Sequence, residues 1–441
     1  MADDSRNSRA PRRGDRRPEV ARSDARPQPK KPPAAAPGPV REVDVTALAS
    51  GGDGVARDEG RVTFVPRTAP GDRVRVQLTK QTSSFARGTL VEVLEPSADR
   101  VAPPCPHFVA GCGGCTWQHV TRAAQLVAKQ AITEGALRKL GAVVEKIADP
   151  CPPYGWRRRA RFHVAGGRAG LYREGTNHVL PITAAGDVPP VSGAGLACPQ
   201  LEPALDAAYR AVAAASPPDG ELALALGHRG EIVVGVERAW KLADRLLGKA
   251  GIVGVLAGEA SHGKTRIEVE PGLQGGPWDF AQASAAGNAA LIELARTALG
   301  KPMVGDAARA RAPRMLELHA GSGNLTRAFR ADGWEVTPSD VAPSAEPGFL
   351  LGPADEVLAR ATGPFDAIVL DPPRTGAVEA IPGIVKLAPR TVVYVSCDPA
   401  TLARDAQRLV EAGYRAERAW PIDLMPQTAH VEVVLRLTRT G

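Results

Sequence analysis

The C-terminal third of the chain repeats a pattern that restricts the fold severely: an apolar strand stops abruptly and a helical segment follows. Thr391–Val395 is a run of β-branched and aromatic residues that breaks at Ser396-Cys397-Asp398-Pro399, and a helical pattern starts near Thr401. This order predicts an open α/β sheet. Ligands of such sheets bind where the strands end, which makes Cys397 a candidate functional residue. A small apolar residue that closes a strand is the simpler explanation of one isolated cysteine.

Three other predicted strands of this region also end in residues that are suited to binding a ligand. The first leads into Gly321-Ser-Gly323 before a helix, the second (Trp334–Thr337) ends near Asp340, and the third ends in Asp371-Pro-Pro-Arg374. In Rossmann-like sites an acid after the second strand binds ribose hydroxyls. The turn lacks the third glycine of the dinucleotide fingerprint. The pattern therefore favours an adenosyl ligand such as S-adenosylmethionine over NAD.

Composition and charge limit the class of protein. Of the 441 residues 44% are hydrophobic, and the formal net charge is +7. No apolar run approaches the roughly 20 residues of a membrane span, and no apolar segment at the N-terminus serves as a secretory signal, so we expect a cytoplasmic protein. Residues 1–41 carry a net charge of +6 and eight prolines. This composition predicts a disordered basic tail that binds a polyanion such as nucleic acid or only keeps the protein soluble.

Residues 42–100 are predicted to form a small all-β domain. Four segments alternate apolar and polar residues, and they are separated by glycine- and proline-rich turns and by the Lys80–Arg87 segment: Val43–Leu48, Val62–Val65, Arg73–Leu78 and Thr89–Leu94. Four or five short strands at this spacing fit a barrel of the OB type, which commonly binds oligonucleotides. Composition alone fits a purely structural β-domain equally well.

Three of the six cysteines fall within one eleven-residue segment, with glycines between the last two: Cys105, Cys112 and Cys115. Iron–sulfur clusters and structural zinc sites both use clustered thiolates of this kind. Either site normally has a fourth ligand, for which the candidates are Cys151 and Cys198, or for zinc His107 and His119. The spacing leaves iron–sulfur and zinc open.

Residues 101–270 are predicted to form a central α/β domain that contains these cysteines. Within it, Tyr154–Val164 has the pattern of a strand. In a strand Arg157, Arg159 and Arg161 share one face. Three arginines on one face repel one another unless something anionic lies against them. We therefore expect contacts to RNA phosphates, or else salt bridges to acidic neighbours.

Together these motifs resemble the RNA uracil-5 methyltransferases of the RumA/TrmA type, which depend on S-adenosylmethionine, over about Val43 to Leu437. The matching elements include two from the family's OB-like TRAM domain, the cysteine segment and four further motifs: Asp53-Gly-Val-Ala-Arg57, Phe64-Val-Pro66, Cys105–Cys115, Phe280-Ala-Gln282, Asp371-Pro-Pro-Arg374, Tyr394-Val-Ser-Cys397 and His430-Val-Glu432. The TRAM domain and the cysteine segment are most similar to the 23S rRNA branch (RlmD/RumA).

The resemblance implies a class I methyltransferase domain over residues 271–441, with Cys397 as the nucleophile and Glu432 as the base. It implies a 4Fe–4S cluster, in preference to zinc, held by Cys105, Cys112, Cys115 and Cys198. The implied cofactor-binding residues are Gln282, His319, Gly321, Asn324, Asp340 and Asp371. The implied substrate is 23S rRNA, with tRNA as the alternative, and we expect a monomer. A non-catalytic RNA-binding or assembly factor with the same fold is the competing hypothesis.

Two departures from the family pattern concern the binding of the cofactor, and a third, at Asp398, concerns the nucleophile. His319 stands where an aromatic residue is usual, and a short segment links Asp340 to Gly352 where the family usually has a helix. Cys397 has to react as a thiolate, so we expect its pKa below about 8.5. The adjacent Asp398, where asparagine is common, raises that pKa unless its carboxylate is turned away or paired.

Overall fold

The computed structural model describes residues 38–58, 60–182, 196–301 and 312–440. Within these ranges no helix is both long and apolar enough to cross a membrane. Residues 1–37 of the predicted basic tail lie outside the described part of the chain. The first strand already begins at Val40, so the predicted end of the tail at residue 41 is too late.

The first five strands close into a barrel in the order β1-β2-β3-β5-β4. They are β1 (Val40–Leu48), β2 (Gly54–Asp58), β3 (Arg61–Val65), β4 (Arg73–Gln81) and β5 (Phe85–Glu95). Side chains of a strand alternate between its two faces, and the inward set, which includes Val45, Ala56 and Val76, fills the interior. The predicted OB-like barrel is confirmed. The prediction omitted β2, and β4 and β5 occupy most of the Lys80–Arg87 segment that was expected to be a connection.

A short helical segment joins the barrel to the rest of the chain. It comprises α1 (Pro106–Val109), α2 (Arg122–Leu137) and the two-residue strand β6 (Val143–Val144). Leu137 of α2 packs in the same core as Leu316 of the C-terminal domain, and β6 is an edge strand of the C-terminal sheet. These elements therefore pack with the C-terminal domain, although they fall inside the predicted central domain, residues 101–270.

A seven-stranded sheet in the order β13-β12-β11-β10-β7-β8-β9 forms the central domain. Its elements are β7 (Arg159–Ala165), β8 (Arg168–Tyr172), β9 (Val179–Pro181), α3 (Pro203–Ala214), β10 (Gly220–Leu226), β11 (Ile232–Val236), β12 (Ile252–Ala257) and β13 (Ala260–Gly263). A hairpin follows, formed by β14 (Ile267–Glu270) and β15 (Leu273–Gly275). The strand predicted from Tyr154 begins only at Arg159, because Gly155 turns the backbone at φ 67° and Arg157 pairs with Leu201 instead.

An eight-stranded sheet in the order β18-β17-β16-β19-β20-β22-β21-β6 forms the C-terminal domain. Its further elements are α4 (Ala285–Leu299), β16 (Arg314–Leu318), α5 (Asn324–Ala331), β17 (Glu335–Asp340), β18 (Leu350–Leu351), α6 (Ala354–Arg360), β19 (Ala367–Leu370), α7 (Ile381–Leu387), β20 (Thr391–Ser396), α8 (Pro399–Glu411), β21 (Tyr414–Ile422) and β22 (Glu432–Arg439). Neighbouring strands from β18 to β20 are parallel, and β22 runs antiparallel to β20. The predicted Rossmann-like domain is confirmed.

Helices cover both faces of this sheet, as a doubly wound fold requires. One apolar core contains residues of α6, α7 and α8, and the other contains residues of α4 and α5. Residues 341–349 form no helix, and Leu350 pairs with Ser339 at the end of β17. Because the connection after Asp340 is short, the sheet ends beyond β17 in the two-residue strand β18.

A buried ion pair fastens α2 to the segment that follows β21. The ammonium group of Lys129 lies 2.6 Å from Asp423 Oδ1 and 3.2 Å from the carbonyl oxygen of Met425, and neither charged side chain is exposed. Arg122 also donates to Asp423. Burial lowers the pKa of Lys129 to about 8, against the attraction of Asp423. The segment that begins at Asp423 leads into β22, so this ion pair helps to position the start of β22, where Glu432 lies.

We predict that Asp423→Ala destabilises the protein by about 3–5 kcal/mol, because it leaves the buried Lys129 and its neighbour Arg122 without the carboxylate that both contact. Chemical denaturation followed by circular dichroism measures the loss. Glu42→Ala is the control, since Glu42 pairs with Arg73 and Arg75 on the exposed surface and such pairs contribute about 0–1 kcal/mol. Equal losses in the two variants would contradict a structural role for the buried pair.

Candidate active site

The strand register brings the predicted catalytic residues to one edge of the C-terminal sheet. In the parallel strands, Leu318 pairs with Leu370 and Leu370 pairs with Tyr394, so the residues that follow these strands emerge together. β22 is antiparallel to β20, and Ser396 pairs with Val433. The next position along β20 therefore places Cys397 beside Glu432. The sequence places these two residues 35 positions apart, and the antiparallel pairing makes them neighbours.

Cys397 is half-buried at this edge. Burial raises the pKa of its thiol, the charge of Glu432 and then that of Asp371 add to the rise, and Arg374 opposes them by its charge and a hydrogen bond. The expectation of a lowered pKa is thus wrong for the protein without substrate. The physical reason is that the thiol is partly removed from water and two acids add to this effect, while a single arginine favours the ionised form.

Arg374 is held in place by its own neighbours. Its Nη2 lies 3.1 Å from Nε2 of His430, and its carbonyl oxygen accepts a hydrogen bond of 3.2 Å from the Thr401 hydroxyl of α8. Burial lowers the pKa of His430 to about 4, and the charge of Arg374 contributes. A neutral His430 can accept the hydrogen bond from Arg374 at Nε2, because arginine only donates.

Asp371 and Glu432 behave as a coupled acid pair. Burial raises the pKa of Asp371 to about 7. Burial, followed by the charge of Asp371, raises the pKa of Glu432 well above its ordinary value, and Arg374 opposes this shift. The charge of Asp371 therefore opposes a second negative charge on Glu432, and the two carboxyl groups do not both ionise readily.

Asp398 does not face the neighbouring thiol. It is the N-cap of α8, and its Oδ1 accepts hydrogen bonds of 2.9 Å from the backbone N–H groups of both Ala400 and Thr401. An acid at a helix N-terminus is favoured by the free N–H groups and the helix dipole. The carboxylate is therefore turned away and paired, which removes the conflict that its position in the sequence suggested.

The turn after β16 has the shape of a cradle for a ligand. Gly321 adopts φ 55°, and a Cβ atom there would meet nothing within 4 Å. Its N–H donates to Asp340 Oδ2 over 2.9 Å, and Asp340 Oδ1 accepts from Ala342 N–H over 3.0 Å. His319 also has a positive φ, 59°, and its buried Nε2 has no hydrogen-bond partner among the described residues. An open backbone turn, an acid and an unsatisfied buried nitrogen fit an adenosyl ligand.

Asn324 begins α5 beside this turn and is fixed by a residue that the sequence analysis missed. Asn324 and Asn288 of α4 exchange two side-chain hydrogen bonds, of 2.7 and 3.0 Å. Asn288 lies inside a helix, where no local pattern distinguishes it from other polar residues. Gln282 lies in the loop before α4, two residues ahead of the N-cap Ser284.

The four predicted cluster cysteines meet at one cavity of about 100 Å³. Cys198 comes from the segment before α3 and the others from the segment around α1: Cys105, Cys112 and Cys115. Burial, with the neighbouring cysteines adding to it, raises the pKa of Cys115 to about 12. In the described parts of the chain, no three His, Cys, Asp or Glu side chains are arranged to hold a metal ion.

The other candidate ligands lie elsewhere or have other partners. Cys151 donates to the Ser284 hydroxyl over 3.2 Å, away from the cavity. His119 Nε2 lies 3.1 Å from the carbonyl oxygen of Thr68. His107 does line the cavity, and its Nδ1 is 3.9 Å from the Cys105 sulfur.

The three arginines predicted to contact phosphates do not share one free face. Arg159 donates to the carbonyl oxygens of Gly276 and Asp279, over 2.8 and 2.6 Å. Arg161 donates to the carbonyl oxygen of Trp278 over 3.2 Å. Arg157 precedes the strand, and its side chain lines the cysteine cavity. The prediction that all three arginines share one strand face is wrong, because the strand begins two residues after Arg157.

Comparison with known proteins identifies the family. The model of the TRAM domain matches residues 35–91, and the model of tRNA (Uracil-5-)-methyltransferase matches residues 360–440. The 23S rRNA (uracil(1939)-C(5))-methyltransferase RlmD of Alkalilimnicola ehrlichii is 34% identical over 89% of this chain and 95% of its own. The chain belongs to the RNA uracil-C5 methyltransferase family. The enzyme of the same name from Edwardsiella ictaluri is also 34% identical, over 88% of this chain and 94% of its own.

A solved structure agrees with this family membership at the level of the fold. The tRNA (uracil-54, C5)-methyltransferase of Pyrococcus abyssi, in complex with S-adenosyl-L-homocysteine, superposes with a TM-score of 0.66 at 20% identity. The match covers 90% of this chain and all of the Pyrococcus chain. The arrangement of domains is thus that of a uracil-C5 methyltransferase.

We predict that alkylation of Cys397 by iodoacetamide rises with pH through and beyond pH 9, because only the thiolate reacts and the pKa of this thiol is raised from 9.0. Arg374→Gln should move the midpoint still higher, since it removes the group that favours the thiolate. Mass spectrometry of the peptide that contains Cys397 measures the rate. Arg404→Gln, on the exposed side of α8, is the control and should leave the midpoint unchanged. A midpoint below pH 9, or one unaffected by Arg374→Gln, would contradict the assignment.

Proposed function

We propose that this protein transfers a methyl group from S-adenosylmethionine to C5 of a uridine in 23S rRNA, and that it acts as a monomer in the cytoplasm. The observation that carries the proposal is the pairing of β20 with β22, which puts a cysteine and a glutamate side by side at the sheet edge. Uracil-C5 chemistry needs a nucleophile and a base at one carbon–carbon bond. Family membership supports the same reaction.

The cradle after β16 is the proposed cofactor site. Asp340 is placed to accept hydrogen bonds from ribose hydroxyls, since each of its oxygens has bonded only one backbone N–H. His319 offers its unsatisfied nitrogen, and Gly321 lets the ligand approach the backbone. Asn324 and Gln282 complete the proposed site. S-adenosylmethionine supplies an electrophilic methyl group when bound.

Cys397 begins the reaction by adding its sulfur to C6 of the flipped uracil. The addition makes C5 nucleophilic as part of an enolate, which the free base is not. Arg374 favours loss of the thiol proton, and Asp371 and Glu432 oppose it. The thiolate is therefore scarce before the substrate binds, which limits side reactions of the cysteine.

Glu432 completes the reaction by removing the proton from C5, after which the sulfur leaves C6 and the double bond re-forms. It has to be ionised for this step. The charge of Asp371 opposes that ionisation and the charge of Arg374 favours it, so Arg374 is the group that promotes Glu432 as the base. A raised pKa makes that carboxylate a stronger base than an exposed one.

The barrel surface is the proposed contact for the RNA strand. Phe64 and Phe85 pack edge to face with ring centres 6.1 Å apart, Arg87 lies over one ring at 5.7 Å and Lys80 over the other at 5.6 Å. Half-exposed aromatic rings beside cations bind single-stranded bases by stacking. Such contacts offset the few kcal/mol needed to flip a base out of a helix.

The four cysteines of the cavity are the proposed ligands of a 4Fe–4S cluster. The cavity gathers thiols from two distant segments, and the resemblance of the cysteine segment to that of the family favours a 4Fe–4S cluster over one zinc ion. Methyl transfer has no redox step. The cluster therefore fastens the segment after the barrel to the central domain, near the Cys112–Arg173 backbone pairing.

We predict that Glu432→Gln accumulates a covalent RNA–protein adduct that survives denaturing electrophoresis, because sulfur cannot leave C6 until the C5 proton is removed. Cys397→Ala should form neither adduct nor 5-methyluridine while still binding RNA. The control, Cys151→Ala, removes a cysteine outside the site and should keep methylation. An active Cys397→Ala variant would exclude this nucleophile, and absence of adduct in Glu432→Gln with RNA bound would exclude this base.

Mass mapping of 5-methyluridine in a deletion strain tests the substrate. We expect one 23S rRNA position to lose its methyl group and to regain it on complementation. The reason is that the two relatives described above are named as 23S rRNA methyltransferases. Loss in tRNA instead would favour the tRNA alternative suggested by the name of the C-terminal family model. Unchanged rRNA and tRNA, together with no binding of S-adenosylmethionine in calorimetry, would favour a non-catalytic RNA-binding protein.

A further inference from the structure

Arg157 is positioned by its backbone and its ring neighbour. Its N–H donates to the carbonyl oxygen of Gln200 over 2.8 Å, and its own carbonyl oxygen accepts from Glu202 N–H over 3.0 Å. The guanidinium lies 4.9 Å from the centre of the Trp156 ring. These contacts tie Arg157 to the segment that carries Cys198, so the arginine and this cysteine form one local unit.

The guanidinium of Arg157 lies among thiols and not among acids. It lines the cavity together with the four cysteines, and its charge interacts with Cys198 and Cys115. Two nearby arginines pair with carboxylates: Arg158 pairs with Glu202, and Arg161 pairs with Glu221. Throughout the described residues, no ion pair includes Arg157.

Arg157 is half-buried, and a cation that loses much of its water without gaining a counter-charge is costly. Four thiolates that ligate iron and sulfide leave the assembled cluster with a net negative charge. The cavity therefore has a built-in cation on one side and four ligands of an anionic group around it. The two charges compensate each other only when the cluster is present.

We propose that Arg157 is the charge partner of the iron–sulfur cluster, and that it stabilises the cluster and sets its reduction potential rather than binding RNA phosphate. This inference rests on the proposed cluster site. Groups around an iron–sulfur cluster tune its potential through charge and burial. Arg161 also lines the cavity, but it differs because it pairs with Glu221 and 60% of its side chain is exposed.

The test uses the full-length chain reconstituted anaerobically with ferrous iron and sulfide. We expect Arg157→Gln to lose iron faster to a chelator and to shift the midpoint potential to more negative values, because reduction adds a negative charge that the arginine no longer balances. Arg157→Lys keeps the charge and should restore most of both properties. Arg168→Gln, on the exposed start of β8, is the matched control and should behave as wild type. Iron analysis and spectroelectrochemical titration give the two readouts.

The outcomes separate the two proposals. Absence of iron and sulfide from the reconstituted wild-type protein would overturn the cluster itself, and this inference with it. Iron bound by the wild type, with unchanged iron loss and potential in Arg157→Gln, would overturn the role of Arg157 and leave the cluster standing. Equal defects in Arg157→Lys and Arg157→Gln would show that shape and not charge matters there, which also overturns the inference.

Discussion

The antiparallel pairing of β22 with β20 is the constraint on which the rest of the site depends. The other neighbours of β20 and β19 are parallel strands, which present only their final residues at the functional edge. One antiparallel strand brings a first residue, Glu432, to that edge as well. The pairing is held by a continuous apolar core and by the buried Lys129–Asp423 pair just ahead of β22. Loss of that register would separate the proposed nucleophile, Cys397, from the proposed base, Glu432.

Burial and neighbouring charges at this edge of the sheet favour the protonated forms of Cys397 and Glu432. Burial and two neighbouring acids raise the pKa of the Cys397 thiol, and burial raises the pKa of both Asp371 and Glu432. Arg374 is the cation whose charge acts on both Cys397 and Glu432. Asp398, the nearest acid in sequence, takes no part because α8 uses it as its N-cap.

Local patterns were enough to predict most of the fold and part of the site. The barrel followed from alternating residues between glycine-rich turns, and the Rossmann-like sheet followed from strands that end in Gly321, Asp340, Asp371 and Cys397. Predictions failed where contacts between distant segments decide the outcome. Arg157 was assigned to a strand face, but its backbone pairs with Leu201. Residues 122–144 were placed in the central domain, but they pack with the C-terminal sheet.

The sequence by itself determined which elements form and which chemical groups they carry, because side-chain periodicity, turn residues and helix caps act over a few neighbouring residues. It also determined the family, through motifs whose order and spacing are specific. Only the tertiary structure decided which groups face one another: Cys397 beside Glu432, four cysteines around one cavity, and Arg157 among thiols. The pKa of each buried group follows from burial and from charges that lie far away in the chain, so no local pattern could have predicted it.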